Sequence, residues 1–370
     1  MDGAELEATV EATRRFATEV VAAMVGTEGR DGALDRLAAV LAQAAELGIM
    51  ASALPDTAGH SYGVWGVSCR VGGPLPSLLV LEQLAEACAG TASCIHHAGL
   101  GAYLLHGSTA PVGRAAVALA YGQWLARGDA EPAGPADPTP RLTEQDGGWR
   151  LDGRCAFVHA PPEPEAFVVY ASDDRGCRGV VVPTAAEGLT CRDVGPRAGL
   201  AACPVLDLQF RNVAVDPTPL PAATPVEAIV ALLWLGLGAI AIGNAQGALA
   251  AAQQYARERY QGGRIIAEHG AVQLLLGSAE ARITTCRAAL GQVASHGPVA
   301  LHGAGMLKVR VTSECAEAVS DCLQVLGGSG YLEDFRLEKR LRDALTLKSV
   351  AGRSNDLLCA AARASLEERS

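Results

Sequence analysis

The 370-residue chain has few aromatic side chains (4%) and no run of Lys or Arg. With so few rings, its 49% hydrophobic share must build a core from Ala, Leu and Val, a composition that favours helix. The formal net charge of -10 argues against a nucleic-acid partner, because non-specific phosphate binding needs a basic footprint. No CxxC pair occurs among the eleven scattered cysteines, a pattern that fits reduced thiols packed as small apolar residues and supplies no metal frame. The N-terminal MDGAELEATVEATRRF is charged and amphipathic, unlike a signal peptide, so a cytoplasmic location is expected.

The stretch from Ala228 to Ala256 has no charge and is long enough to span a bilayer. Asn244, Gln246, Gln253 and Gln254 interrupt it, and its many small residues invite close helix contacts. We therefore expect a helix buried in a bundle, with no membrane partner.

Periodicity divides the chain into three parts, placed at 1–112, 113–222 and 223–370. The first reads as helical. LDRLAAVLAQAAELG carries apolar residues at three- and four-residue spacing and stops at Gly48, and LPSLLVLEQLAEACAG and TASCIHHAGLGAYLLHGS give two more helices. PDTAGHSYGVWG reads as loop and AEPAGPADPTP as a proline-rich connector. GWRLDGRCAFV then reads as a hairpin turning at Asp152-Gly153, followed by strands in AFVVYAS, GVVVPT, LTCRDV and VLDLQFRNVAV. Beyond residue 226 helices return as a four- or five-helix bundle, with two of them after the GGSGY turn. The fold class is mainly α with a central β domain.

YARERYQGGRIIAEH and QVLGGSGYLEDFRLEKRLRDA, at their observed separation, resemble two segments of the acyl-CoA dehydrogenase family. The first is similar to its Tyr-x-x-x-Arg-x-x-Phe-Gly, the second to its Gln-x-x-Gly-Gly-x-Gly-Tyr through Arg-Asp-Ala. ELGIMASALPDTAG and PRAGLAACPVLDLQFRNVAV resemble family elements of the N-terminal and β domains. The resemblance implies a homotetramer or homodimer, or a hetero-oligomer with a paralogue, holding FAD (FMN as the alternative) between subunits. Arg259 would meet the pyrophosphate, where a forked guanidinium suits phosphate oxygens. Gln324, Gly327 and Gly328 would approach the cofactor of a neighbouring subunit, glycine admitting the backbone without a Cβ. Arg342-Asp343 reads as a structural ion pair.

The family reaction removes an α-proton from an acyl thioester on CoA or a carrier protein. It needs a carboxylate against the α-carbon and donors on the thioester carbonyl. Here the resemblance is broken. The usual base position is Ala351, followed by Gly352 and Arg353, and the alternative position on the long helix is Leu233. Neither side chain accepts a proton, although the Ala351 backbone N–H remains a donor to a carbonyl. The flavin loop is replaced by ALAYGQWLARGDAEPAG, the aromatic-x-Thr pair by Phe157-Val158-His159, and the Phe of Phe-Gly by Gly262. Phe157 is the candidate to cover the flavin ring. His159 is the candidate flavin contact or substitute acid–base group, its plainer reading being a solvent-facing residue at a strand end. Three functions follow: a specialised flavin-dependent oxidoreductase of acyl thioesters, a flavin monooxygenase of the same fold, or a non-redox homologue that binds thioesters or serves as a partner subunit.

Overall fold

The computed structural model describes residues 3–24, 33–50, 63–66, 69, 72–105, 116–118, 140–145, 147–216, 226–295 and 299–367. The proline-rich connector, the substituted flavin loop and most of PDTAGHSYGVWG lie outside the described residues. Among the described residues four α-helices come first: α1 (Gly3–Glu19), α2 (Ala33–Glu46), α3 (Leu75–Ala87) and α4 (Ala89–Leu105). The break between α3 and α4 falls at Cys88, whose extended φ of -151° ends the first helix, and not at the glycine two residues later. All but two residues of α4 are buried, so this helix runs through the interior and shows no polar stripe.

Seven strands form one sheet: β1 (Ala116–Ala118), β2 (Arg141–Gln145), β3 (Gly148–His159), β4 (Ala166–Asp173), β5 (Gly176–Pro183), β6 (Leu189–Asp193) and β7 (Val205–Val215). Their order is β1-β4-β2-β3-β7-β6, with β5 paired to β4. β4 explains why AFVVYAS is continuously apolar. Phe167, Val169 and Ala171 enter the core of the β domain, whereas Ala166, Val168 and Tyr170 belong to the helical core on its other side.

The expected hairpin at Asp152-Gly153 is corrected. The turn joins β2 to β3 between Gln145 and Gly148, and β3 runs through Asp152-Gly153 while paired to β7. Gly153, with φ 125°, sits at a register shift, and the Asp152 carboxylate accepts the Asn212 N–H at 2.7 Å. Asp-Gly here makes a bulge, because the strand has a partner on both sides of it.

The chain returns to helix at α5 (Val226–Glu258), crosses a two-stranded hairpin of β8 (Tyr260–Gln261) and β9 (Arg264–Ile265), and continues in α6 (Gly270–Ala294) and α7 (Leu301–Leu326). Two 3-10 turns, Gly327–Tyr331 and Glu333–Phe335, lead to α8 (Leu337–Leu347) and α9 (Ser354–Glu367). α5 is long and apolar enough to cross a membrane, yet 83% of its most apolar window is buried inside the fold. Its glycines admit neighbours: a methyl at Gly236 would collide with the His96 ring, and one at Gly243 with the Glu82 carbonyl.

Candidate functional site

Ala351 lies in the turn between α8 and α9. It is 5% exposed and has a φ of 57°, the left-handed region, which costs a non-glycine residue about 1 kcal/mol. Neighbouring side chains hold that conformation. Trp234 of α5, 1% exposed, donates its indole Nε1–H to the Ala351 carbonyl at 2.6 Å. Lys308 of α7, also 1% exposed, donates from Nζ to the Lys348 and Gly352 carbonyls, both at 2.8 Å. Burial pulls the Lys308 ammonium down to about 8. The Val350 N–H closes onto the Thr346 carbonyl at 3.1 Å, but the Ala351 N–H donates to no atom of the described residues. The turn thus carries a restrained, unpaired donor at Ala351, where the resemblance puts a catalytic base. Leu233, the alternative base position, is fully buried, and its carbonyl is bonded to His96 Nε2 at 3.0 Å. Among the described residues no carboxylate reaches Ala351 by a hydrogen bond or ion pair.

A buried polar chain crosses from α4 to the β domain. Trp65 Nε1 donates to His96 Nδ1 at 2.8 Å, His97 Nδ1 meets the Ser93 carbonyl at 2.7 Å, and Ser93 Oγ meets His159 Nδ1 at 3.0 Å. The His97 and His159 rings lie 4.6 Å apart. Burial drives His96 down to about 3 and His97 well below its ordinary value, so both rings are neutral. The Cys94 and Cys203 thiols beside His159 donate to the Ala160 carbonyl at 3.6 Å and the Pro204 carbonyl at 3.5 Å. His159 is only 7% exposed, which corrects the reading of a solvent-facing residue at a strand end. Sequence pattern alone did not single out Ser93, Trp234 or Lys308. The one available signal was a Trp and a Lys on helix faces otherwise made of small apolar residues.

The residues expected at the cofactor form two groups. Tyr255 Oη bonds Ser329 Oγ at 3.1 Å and its ring meets Phe335 edge-on at 5.5 Å, which sets the end of α5 beside the glycine turn. Arg259 and Gln324 are exposed there without side-chain partners among the described residues. A Cβ at Gly327, where φ is 55°, or at Gly328 would meet nothing within 4 Å. An unpaired guanidinium beside open backbone fits a phosphate-bearing ligand. Phe157 and His159 form the second group at the end of β3, where Phe157 has a φ of 57° at a bulge and is 66% exposed. No hydrogen bond or ring contact joins the two groups among the described residues.

Arg342 and Asp343 are structural but do not pair with each other, a further correction. Asp343 accepts the Leu200 N–H at 2.6 Å and Lys339 Nζ at 2.7 Å, while Arg342 donates to the Ala198 carbonyl at 3.0 Å and pairs with Glu338. Together they fasten α8 to the loop that carries Cys203. A separate cleft of about 500 Å³ lies between α1, α3, α5 and α8. Asn244 lines it with Oδ1 unpaired, and its other bonds hold Arg340.

Comparison with known proteins agrees with this layout. Residues 3–116 match the acyl-CoA dehydrogenase N-terminal domain and residues 234–366 match the acyl-CoA dehydrogenase C-terminal domain. The chain belongs to the acyl-CoA dehydrogenase family. A 3-(aryl)acrylate reductase of Clostridium sporogenes is 28% identical over 60% of this chain and 62% of its own. The acyl-[acyl-carrier-protein] dehydrogenase MbtN of Mycobacterium tuberculosis is 29% identical over 63% of this chain and 64% of its own. The chain thus spans somewhat less than two thirds of these relatives. The butyryl-CoA dehydrogenase structure from Megasphaera elsdenii superposes with a TM-score of 0.77 at 18% identity, covering 98% of each chain, and so shares the fold.

Proposed function

We propose that this protein is a flavin-dependent oxidoreductase acting on an acyl thioester carried by CoA or a carrier protein, within specialised metabolism in the cytoplasm. The observation that carries the reading is the Ala351 turn: a buried, restrained N–H with no partner is the donor that a thioester carbonyl requires. Support for the carrier comes from a relative named as an acyl-[acyl-carrier-protein] dehydrogenase, and support for redox chemistry from one named as a 3-(aryl)acrylate reductase.

Flavin, when bound, supplies a two-electron acceptor or donor. Arg259 would hold its phosphates together with Gln324, Gly327 and Gly328 from one copy, with Phe157 and His159 meeting the same cofactor from a second copy in a homodimer or homotetramer. The Ala351 N–H polarises the thioester carbonyl and makes the α-proton more acidic. His159 is the candidate acid–base group, because positions 233 and 351 offer none.

Purified protein that is yellow and is bleached by an acyl thioester without oxygen supports this function. Flavin that is reduced only by an external reductase indicates the monooxygenase instead. Colourless protein that takes up neither FAD nor FMN on reconstitution indicates the non-redox homologue and overturns the proposal.

A further inference from the structure

The Ala351 turn is unusual in what holds it. A non-glycine residue at φ 57° has to be restrained by its surroundings, and here the restraint reaches the carbonyl on one side of Ala351 while the N–H on the other side stays unpaired. Trp234 is placed for that task by packing as well as by its indole nitrogen. Gly305 of α7 leaves room for the six-membered ring, the nearest ring atom lying 3.1 Å from where a Cβ would stand. The Lys308 ammonium fixes the flanking carbonyls of Lys348 and Gly352, so three of the carbonyls between 348 and 352 are bound by two buried side chains. The Ala351 N–H belongs to the Val350–Ala351 peptide plane, so these bonds restrain it through the neighbouring planes on either side.

Building on the oxidoreductase reading above, we infer that Trp234 is a positioning residue for catalysis. Its indole N–H fixes the orientation of the Ala351 turn, and this aims the Ala351 N–H at the thioester carbonyl. Trp234 itself touches no reacting atom. Its chemistry is a single neutral hydrogen bond whose loss frees the turn to rotate, and no other side chain among the described residues donates to the Ala351 carbonyl. Electrostatic stabilisation by a backbone donor depends on prior orientation, so a donor free to swing loses most of its effect on the carbonyl.

The test is vibrational. Full-length protein without added flavin is mixed with butyryl-CoA carrying ¹³C at the thioester carbonyl, and the carbonyl band is read by isotope-edited infrared difference spectroscopy. In the wild type the band moves to lower wavenumber on binding. In Trp234→Phe, which keeps a ring but removes the N–H, at least about half of that shift is lost while binding persists. A purely structural role would lower the melting temperature and leave the band where it is. Should Trp234→Phe fail to fold, benzothienylalanine incorporated at position 234 keeps the indole shape and removes only the donor. A full wild-type shift in either variant overturns the inference. A wild type that binds the thioester without any shift, or does not bind it, overturns the oxidoreductase reading on which the inference rests.

Discussion

At residue 351 the sequence shows what is missing, and the structure shows what remains. Alanine at that position and leucine at 233 could be read directly as the loss of both carboxylates. The unpaired N–H, the positive φ and the Trp234 and Lys308 bonds could not, since each depends on contacts forty or more residues apart in the chain. If the site is otherwise competent, Ala351→Glu should restore a base. We expect exchange of the α-hydrogen of a bound acyl thioester with deuterated solvent to rise by roughly 10²-fold or more, followed by NMR, since a positioned base contributes about that much. Lys308 gives an independent check through pH. Its folded value of about 8 lies below the ordinary 10.5, so below pH 8 the ammonium is charged in both states and the full cost of burying it is present. Between pH 8 and 10.5 the unfolded chain keeps a proton that the folded chain has released, so stability rises with pH at up to about 1.4 kcal/mol per unit. Urea midpoints across that window should climb in the wild type relative to Lys308→Met, which has no proton to release.

Among the elements, the periodic helices and the apolar strands could be read from the sequence because each carries its own pattern. AFVVYAS, LTCRDV and VLDLQFRNVAV coincide with β4, β6 and β7 to within a residue or two. The Asp152-Gly153 hairpin failed for a physical reason. A turn dipeptide and a bulge dipeptide have the same local chemistry, and only the long-range partner β7 decides between them. The small residues of α5 read as inviting close helix contacts, and Gly236 is where α4 and α5 make one, through the His96 ring. Gly236→Ala should therefore destabilise the protein even though it raises helix propensity. A loss of about 1–3 kcal/mol in chemical denaturation is expected, because the added methyl meets a ring already fixed by Trp65 and the Leu233 carbonyl. An unchanged or higher midpoint would show that the two helices can separate at no cost.

Across the whole molecule, the domains are joined by buried polar groups as well as by apolar packing, and this has consequences for acid and for assembly. His96 and His97 tie α4 to its surroundings in the neutral state. Between the ordinary imidazole value of 6.5 and about 3 for His96, the unfolded chain takes up protons that the folded chain refuses. Stability should therefore fall as pH drops below 6.5, and the fall between pH 7 and 5 should be shallower in His96→Gln than in the wild type. Assembly can be tested through the two groups of cofactor residues. Arg259, Gln324, Gly327 and Gly328 cluster at the end of α5, Phe157 and His159 stand at the end of β3, and no hydrogen bond or ring contact joins them among the described residues. If the two groups grip one flavin from two copies of the chain, bound flavin becomes linked to protein concentration by mass action. Serial dilution of the yellow protein should release flavin, seen as recovery of its free fluorescence, over the same concentration range in which sedimentation shows dissociation. Arg259→Gln should move the release to higher protein concentration. Flavin retained by a sedimenting monomer would show that one copy completes the site, and the two groups would then have to meet within a single chain.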